Sequence, residues 1–282
     1  MQIGISTFPT TYAISPVELA RELEARGFDS LWTVEHTHIP ASRETPYPMG
    51  GELPSIYWES FEPFTYLAQA AAVTDALKVG TGVCLAAQHN PLALAKRVAS
   101  LDALSGGRFL FGVGAGWLGE EMANHGLAYK DRWKVLRECV LAMQACWTEK
   151  DAEFHGEFID FDAVWVEPKP VSQPHPPVYI GATSTWAMDR IAEYAQGWYP
   201  VQVPEFDERL EQLKEACAVR GRDINEIDIS LLTMITDEAQ LVGLAEKGIN
   251  RVVLSLPTAD RDESLKVLDD YTQAVEWAAS IS

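Results

Sequence analysis

The chain has 282 residues, 47% of them hydrophobic, enough for one large α/β barrel or two small domains. Acidic residues outnumber basic ones 41 to 22, a formal net charge of −19, which argues against nucleic acid or an anionic membrane as partner but permits a local phosphate pocket. The four cysteines (Cys84, Cys139, Cys146, Cys217) show neither a CxxC pair nor metal spacing, no apolar run reaches membrane-spanning length and no leader precedes the first strand, so a cytoplasmic protein with reduced thiols is expected.

Strand and helix alternate along the chain. Residues 2–8 are the first strand. Ser15-Pro16 opens a helix with Val17, Leu19, Ala20 and Leu23 on one face, and Gly27 closes it. Residues 28–34 are the second strand, which runs into Glu35-His36-Thr37-His38. Residues 39–60, rich in Pro, Gly and aromatics, read as an ordered active-site loop. A helix over about 61–76 precedes a third strand at 78–84. Asn90 caps the next helix and Pro91 suits its first turn; Leu92, Ala95, Val98, Ala99 and Leu101 recur at helical spacing until Ser105-Gly106-Gly107 stops it. The fourth strand, 108–113, ends in Gly114-Ala115-Gly116-Trp117. After a helix at 132–147, an insertion at about 150–176 carries a small hairpin near 154–161 and a proline-rich return. Strands at 177–181, 197–201, 228–234 and 251–256 then alternate with helices at 184–194, 205–220, 237–247 and 262–279. Eight βα steps with no boundary between them predict a single (β/α)8 TIM barrel over residues 1–282; a doubly wound sheet is the alternative.

In such a barrel the chemistry sits where strands run into the following loops. His36-Thr37-His38 is the sharpest polar feature there. Alternate residues of an extended segment can share a metal, yet the ends of strands five, six and eight add no histidine, and Asp260 lies beyond its strand. The other readings are hydrogen bonding or proton transfer to an organic ligand, or two histidines that pin the long loop. The run from Gly112 to Gly116 fails the dinucleotide spacing because Trp117 stands where a glycine is required. It reads instead as small residues that let a flat ring approach the backbone, or as tight barrel packing. Gly181-Ala182-Thr183-Ser184 joins a strand end to a helix start, either an anion pocket or an ordinary cap.

Residues 78–117 also carry a family resemblance. Gly80-Thr81-Gly82-Val83, Asn90-Pro91, Leu94-Ala95-Lys96, Leu101-Asp102, Leu104 to Arg108 and Gly112 to Trp117 resemble the luciferase-like flavin and deazaflavin oxidoreductases, in the branch that uses coenzyme F420. Glu35-His36, Arg132, Glu138, Trp147, Pro168, Gly181-Ala182 and Gly197-Trp198 extend the likeness over about residues 1–200. The resemblance implies a barrel with the cofactor ring at the C-terminal strand ends and a non-prolyl cis peptide at Gly82-Val83. It also implies a cofactor phosphate on the backbone at Gly181, Ala182, Thr183 and Ser184, and His36 facing the reacting edge. His89 stands where related branches carry Arg. Trp117 stands where the glucose-6-phosphate dehydrogenase branch has a catalytic carboxylate, which argues against that activity.

The expectation is therefore an F420-dependent oxidoreductase that passes a hydride between the deazaflavin and a small-molecule substrate. His36, Glu35 and His38 are the catalytic candidates. Gly82, Val83, His89, Gly114, Ala115, Gly116, Trp117 and Gly181 to Ser184 are the cofactor-binding candidates, and no metal is expected. FMN, in a reduced-flavin monooxygenase, is the alternative cofactor; a metal-dependent hydrolase barrel and a barrel that binds without catalysis are remoter. Tyr47, Tyr57 and Trp58 are expected to cover the site. A homodimer is expected through small apolar faces at Ala68, Ala71, Ala72 and Ala95.

Overall fold

A computed structural model describes residues 1–281 of the chain. In order, the elements are β1 (Gln2–Thr7), α1 (Pro16–Ala25), β2 (Ser30–Thr33), α2 (Ile56–Glu59), α3 (Pro63–Ala71), β3 (Lys78–Thr81), α4 (Pro91–Leu104), β4 (Phe109–Val113), α5 (Gly119–Asn124) and α6 (Arg132–Thr148). There follow β5 (Ala152–His155), β6 (Asp160–Val164), β7 (Val178–Ile180), α7 (Thr185–Tyr194), β8 (Gly197–Trp198), α8 (Phe206–Val219), β9 (Asp228–Thr233), α9 (Glu238–Glu246), β10 (Arg251–Ser255) and α10 (Arg261–Ser280). Eight parallel strands close in the order β1-β10-β9-β8-β7-β4-β3-β2, with β1 pairing β2 to seal the ring. The barrel expected from the strand–helix alternation is thus the fold, and the doubly wound sheet is excluded.

Large residues fill the barrel because small ones face them. Trp32 of β2 lies opposite Ser6 and Gly80 in the register. A Cβ on Gly80 would sit 2.5 Å from its indole, and one on Gly197 would sit 2.1 Å from the Tyr179 ring. Trp32 packs against Tyr199 at 4.6 Å and Tyr179 at 5.5 Å between ring centroids. At the N-terminal end, buried Arg251 meets Asp29, Asp228, Ser230 and Gln2. Such a buried charge persists because each of its three nitrogens has a partner and two of those partners are carboxylates.

Several boundaries differ from the sequence reading. The helix expected at 61–76 spans Pro63–Ala71, because Glu62 caps its start and Arg108 takes the carbonyls of Ala71 and Leu77. Residues 75–77 instead donate their N–H groups to Glu24. β3 stops at Thr81; the Gly82-Val83 peptide is cis, as the family resemblance implies, and Cys84 rejoins the sheet by a single bridge to Val113. β8 is two residues long, with Val201 bridging Leu232 farther on. The hairpin spans 152–164, wider than expected, and Glu138 of α6 anchors it by accepting the N–H groups of Glu157, Phe158 and Ile159. The loop at 39–60 contains the single-turn helix α2, which its mixed composition concealed. Of the four alanines assigned to an outer face, Ala71 and Ala95 belong to the core and only Ala68 and Ala72 are exposed. α3 rotates its 67/70/71 face inward, and helical spacing carries 68 and 72 to the other side.

Candidate active site

The C-terminal strand ends enclose a cavity of about 350 Å3. Its floor and walls are mostly apolar: Phe8, Val34, Val83, Leu85, Ala115, Val201, and the rings of Tyr57, Trp117 and Trp133. A hollow of about 900 Å3 at the opposite end, among Gln2, Asp228 and Asn250, lies away from the βα loops that carry the chemistry of such barrels.

Glu35 and His36 leave β2 in opposite directions, as strand alternation requires. Glu35 turns into the protein. It is 4% exposed and accepts the Leu85 N–H at 2.6 Å and His89 Nε2 at 3.0 Å. Burial pushes its pKa up, but the His89 hydrogen bond and charge, with bonds from the Cys84 thiol and the Leu85 N–H, hold it below the usual carboxylate value. His36 lies on the cavity wall with its ring 5.4 Å from Tyr57 and 5.9 Å from Trp117. Its Nδ1 contacts the buried Glu121 carboxylate at 2.8 Å. Among the described residues Nε2 has no hydrogen-bond partner, so this nitrogen is the one offered to a ligand. The Nδ1–H tautomer is assigned from that network.

The glycines at the strand ends have a more particular task than expected. A Cβ on Gly114 would lie 2.6 Å from Val83 Cγ2, and one on Gly181 would lie 2.4 Å from Val83 Cγ1. These glycines make room for the Val83 side chain, which then forms part of the cavity floor. Gly112 serves barrel packing, since its Cβ would fall 2.0 Å from the Thr81 carbonyl oxygen. Only Gly116 needs its conformational freedom, with φ at 78° where the chain turns into Trp117.

Of the sequence candidates, Glu35, His36, Gly82, Val83, Gly114, Ala115, Gly116, Trp117 and Gly181 line the cavity. His89 stands behind Glu35. His38 turns outward, with Nδ1 2.9 Å from Thr37 Oγ1 and Nε2 2.8 Å from Asn124 Nδ2. Ala182 and Thr183 offer carbonyls to Trp198 Nε1 and Arg209 Nε. Ser184 is the N-cap of α7 and makes no side-chain cap bond; the Ala187 N–H donates to the Ser184 carbonyl at 2.9 Å, which leaves the Thr185 and Trp186 N–H groups open. Tyr57 lines the cavity and bonds Tyr47 through their hydroxyls at 3.1 Å, whereas Trp58 is outside it and half exposed. Glu121 escaped the sequence reading. Its signal, the acidic pair Glu120-Glu121 after a Gly-rich strand end, sits in a helix of six residues, too short to show periodicity.

The donor set fits an organic ring better than an ion. Glu35, Cys84 and His89 bring donor atoms within 4.8 Å of one another. The Glu35 oxygens are already occupied, however, and burial beside Glu35 pushes the Cys84 thiol well above its usual range, which keeps it protonated. His36 and His38 face different partners and cannot share a metal. An apolar floor, aromatic walls, one imidazole and open N–H groups at α7 suit a flat ring carrying a phosphate.

The family model for luciferase-like monooxygenases matches residues 6–241. An uncharacterized protein of Mycobacterium tuberculosis is 37% identical over 271 residues, covering 94% of this chain and 95% of that protein. An FMNH2-dependent dimethylsulfone monooxygenase of Pseudomonas putida is 28% identical over 182 residues, covering 62% of this chain and 50% of its own length. The fold superimposes on an F420-dependent secondary alcohol dehydrogenase with a TM-score of 0.76 at 17% identity, covering 97% of this chain and 98% of that one. Proteins named for reduced FMN and for F420 both occur among the relatives.

Proposed function

Because the chain belongs to the luciferase-like monooxygenase family, whose members are oxidoreductases and monooxygenases, we propose that it is an F420-dependent oxidoreductase acting on a small, largely apolar substrate. When bound, the deazaflavin supplies the hydride donor or acceptor. Val83, Leu85 and Ala115 would support one face of the ring. The cis peptide region at Gly82-Val83 and the Gly114–Trp117 turn would bound its edge, and the backbone from Gly181 to Ser184 with the start of α7 would hold the phosphate.

The observation that carries this reading is the His36 imidazole on an otherwise apolar wall. Hydride transfer to a carbonyl carbon, or from a carbinol carbon, requires one proton at the adjacent oxygen. Glu35 is engaged by Leu85, His89 and Cys84, and burial pushes the Tyr57 phenol upward, with Tyr47 adding to the shift. His36 Nε2 is left to hold or take that proton. The surrounding Phe8, Trp117, Trp133 and Val201 exclude water and favour an uncharged substrate, since no lysine or arginine lines the cavity.

The second reading is a reduced-FMN monooxygenase, supported by the Pseudomonas relative. A panel of small secondary alcohols and ketones separates the two. Substrate-dependent oxidation or reduction of F420 without oxygen uptake supports the first reading; oxygenated product formed with reduced FMN and oxygen, with no substrate-dependent change in F420, refutes it. We further propose a homodimer through the exposed face of α3 and α4, where Ala68, Ala72 and Leu104 stand in solvent.

A further inference from the structure

Glu121 is fully buried, yet its three partners, a backbone N–H, a hydroxyl and an imidazole, would be satisfied by a neutral acceptor. Burying a carboxylate for that purpose alone is costly. Its contacts continue beyond His36. One oxygen accepts from His36 Nδ1 at 2.8 Å; the other accepts the Thr37 N–H at 3.0 Å and lies 3.5 Å from Thr37 Oγ1. That hydroxyl is 2.7 Å from His125 Nε2 and 2.9 Å from His38 Nδ1. His125 is exposed. Proton-bearing groups therefore run from the cavity wall to the surface, while the His36 side chain itself is only 7% exposed.

We propose that Glu121 is a positioning residue that keeps His36 protonated on Nδ1 and basic on Nε2, and that Thr37 and His125 complete a proton route from the cavity to solvent. The purpose of the route rests on the oxidoreductase reading; its geometry does not. With the cavity filled, a proton taken up at Nε2 displaces the Nδ1 proton onto Glu121. The carboxyl group turns about its Cγ–Cδ bond and passes that proton to Thr37 Oγ1, whose own proton moves to His125 Nε2. His125 releases one proton to water from its other nitrogen, so one proton enters, one leaves and no electrons move. The reverse sequence delivers a proton, and the ring regains its resting tautomer once the cavity opens to water. The charges acting on His125 are those of His38, Glu121, His89 and Glu35; burial first, then His38, holds its pKa below the usual value, which leaves a neutral acceptor near pH 7.

Nuclear magnetic resonance of isotope-labelled histidines in the cofactor-free protein reads the tautomer directly. His36 should be the Nδ1–H form, Glu121→Gln should abolish that preference with the fold retained, and titration of His125 should be felt at His36 in the wild type but not in Thr37→Val. On the loaded protein, Glu121→Gln should slow single-turnover hydride transfer by about 10²-fold. His125→Gln should slow it less, and added imidazole should restore it, because an exposed site admits a small base. An Nε2–H tautomer in the wild type, or an unchanged tautomer in Glu121→Gln, overturns the positioning role. An uncoupled His125, or a His125→Gln loss that imidazole does not restore, overturns the route. Failure of both cofactors to bind would instead refute the oxidoreductase reading, and the cofactor-free spectra would still decide the tautomer and the coupling.

Discussion

Glu35→Gln exchanges a buried carboxylate for a neutral group of the same shape. Glutamine can still accept the Leu85 N–H that Glu35 holds at 2.6 Å, but it puts no charge opposite His89, 3.0 Å away. Stranding one partner of a buried pair costs about 3–5 kcal/mol. The glutamine keeps hydrogen-bonding capacity at the same place, so a smaller loss of about 2–3 kcal/mol is expected. For a chain this long that corresponds to a Tm lower by roughly 4–10 °C at neutral pH. The pH dependence has a fixed sign. A carboxyl group whose pKa is lower in the folded than in the unfolded state stabilises the fold above about 4.5, and that contribution fades as pH falls through the folded value. The difference between wild type and variant should therefore shrink progressively below about pH 4.5. Thermal and urea unfolding at several pH values measure it. Equal stability at neutral pH, or a gap that widens on acidification, would refute the assignment of Glu35 as an ionised structural anchor.

Gly181→Ala should destabilise the fold by about 1–3 kcal/mol through overpacking against Val83, and the double variant with Val83→Ala should recover much of it; an additive loss would show that Val83 is not the obstacle. His36→Ala should leave the fold intact and lower turnover about 10²-fold or more, or weaken cofactor binding by about 1–3 kcal/mol if the ring only holds the ligand. Glu120 accepts the N–H groups of Glu44 and Thr45, which hold its pKa down to about 2. Glu120→Gln, or acidification from about 4.5 towards about 2, should release the 39–60 loop to limited proteolysis, and an unchanged cleavage rate would count against this tether. Light scattering should give the mass of a dimer, with Leu104→Lys shifting it towards monomer; a wild-type monomer across all concentrations would contradict the proposed face.

The barrel was legible because its signals are local. Helical periodicity in residues 91–104, the Asn90-Pro91 start and the Gly106-Gly107 stop all survive in α4. Glu35 and His36 were found because they follow a strand end, and alternation assigned them to opposite sides. Glu121 was not found, because its importance lies in a contact 85 residues from its partner on a helix without periodicity. The role of Gly114 and Gly181 was only half legible: small residues at strand ends announce a close approach, but composition cannot say whether a ligand or Val83 makes it. Ala71 and Ala95 illustrate the same limit, since alanine suits a core as well as an interface.

Binding of the two candidate cofactors to the purified protein tests the proposed function most directly. In parallel anaerobic titrations followed by fluorescence and visible spectra, F420 should bind saturably, one molecule per chain, and more tightly than FMN. Absence of saturable F420 binding, or tighter binding of FMN, would contradict the assignment of this cavity to a deazaflavin.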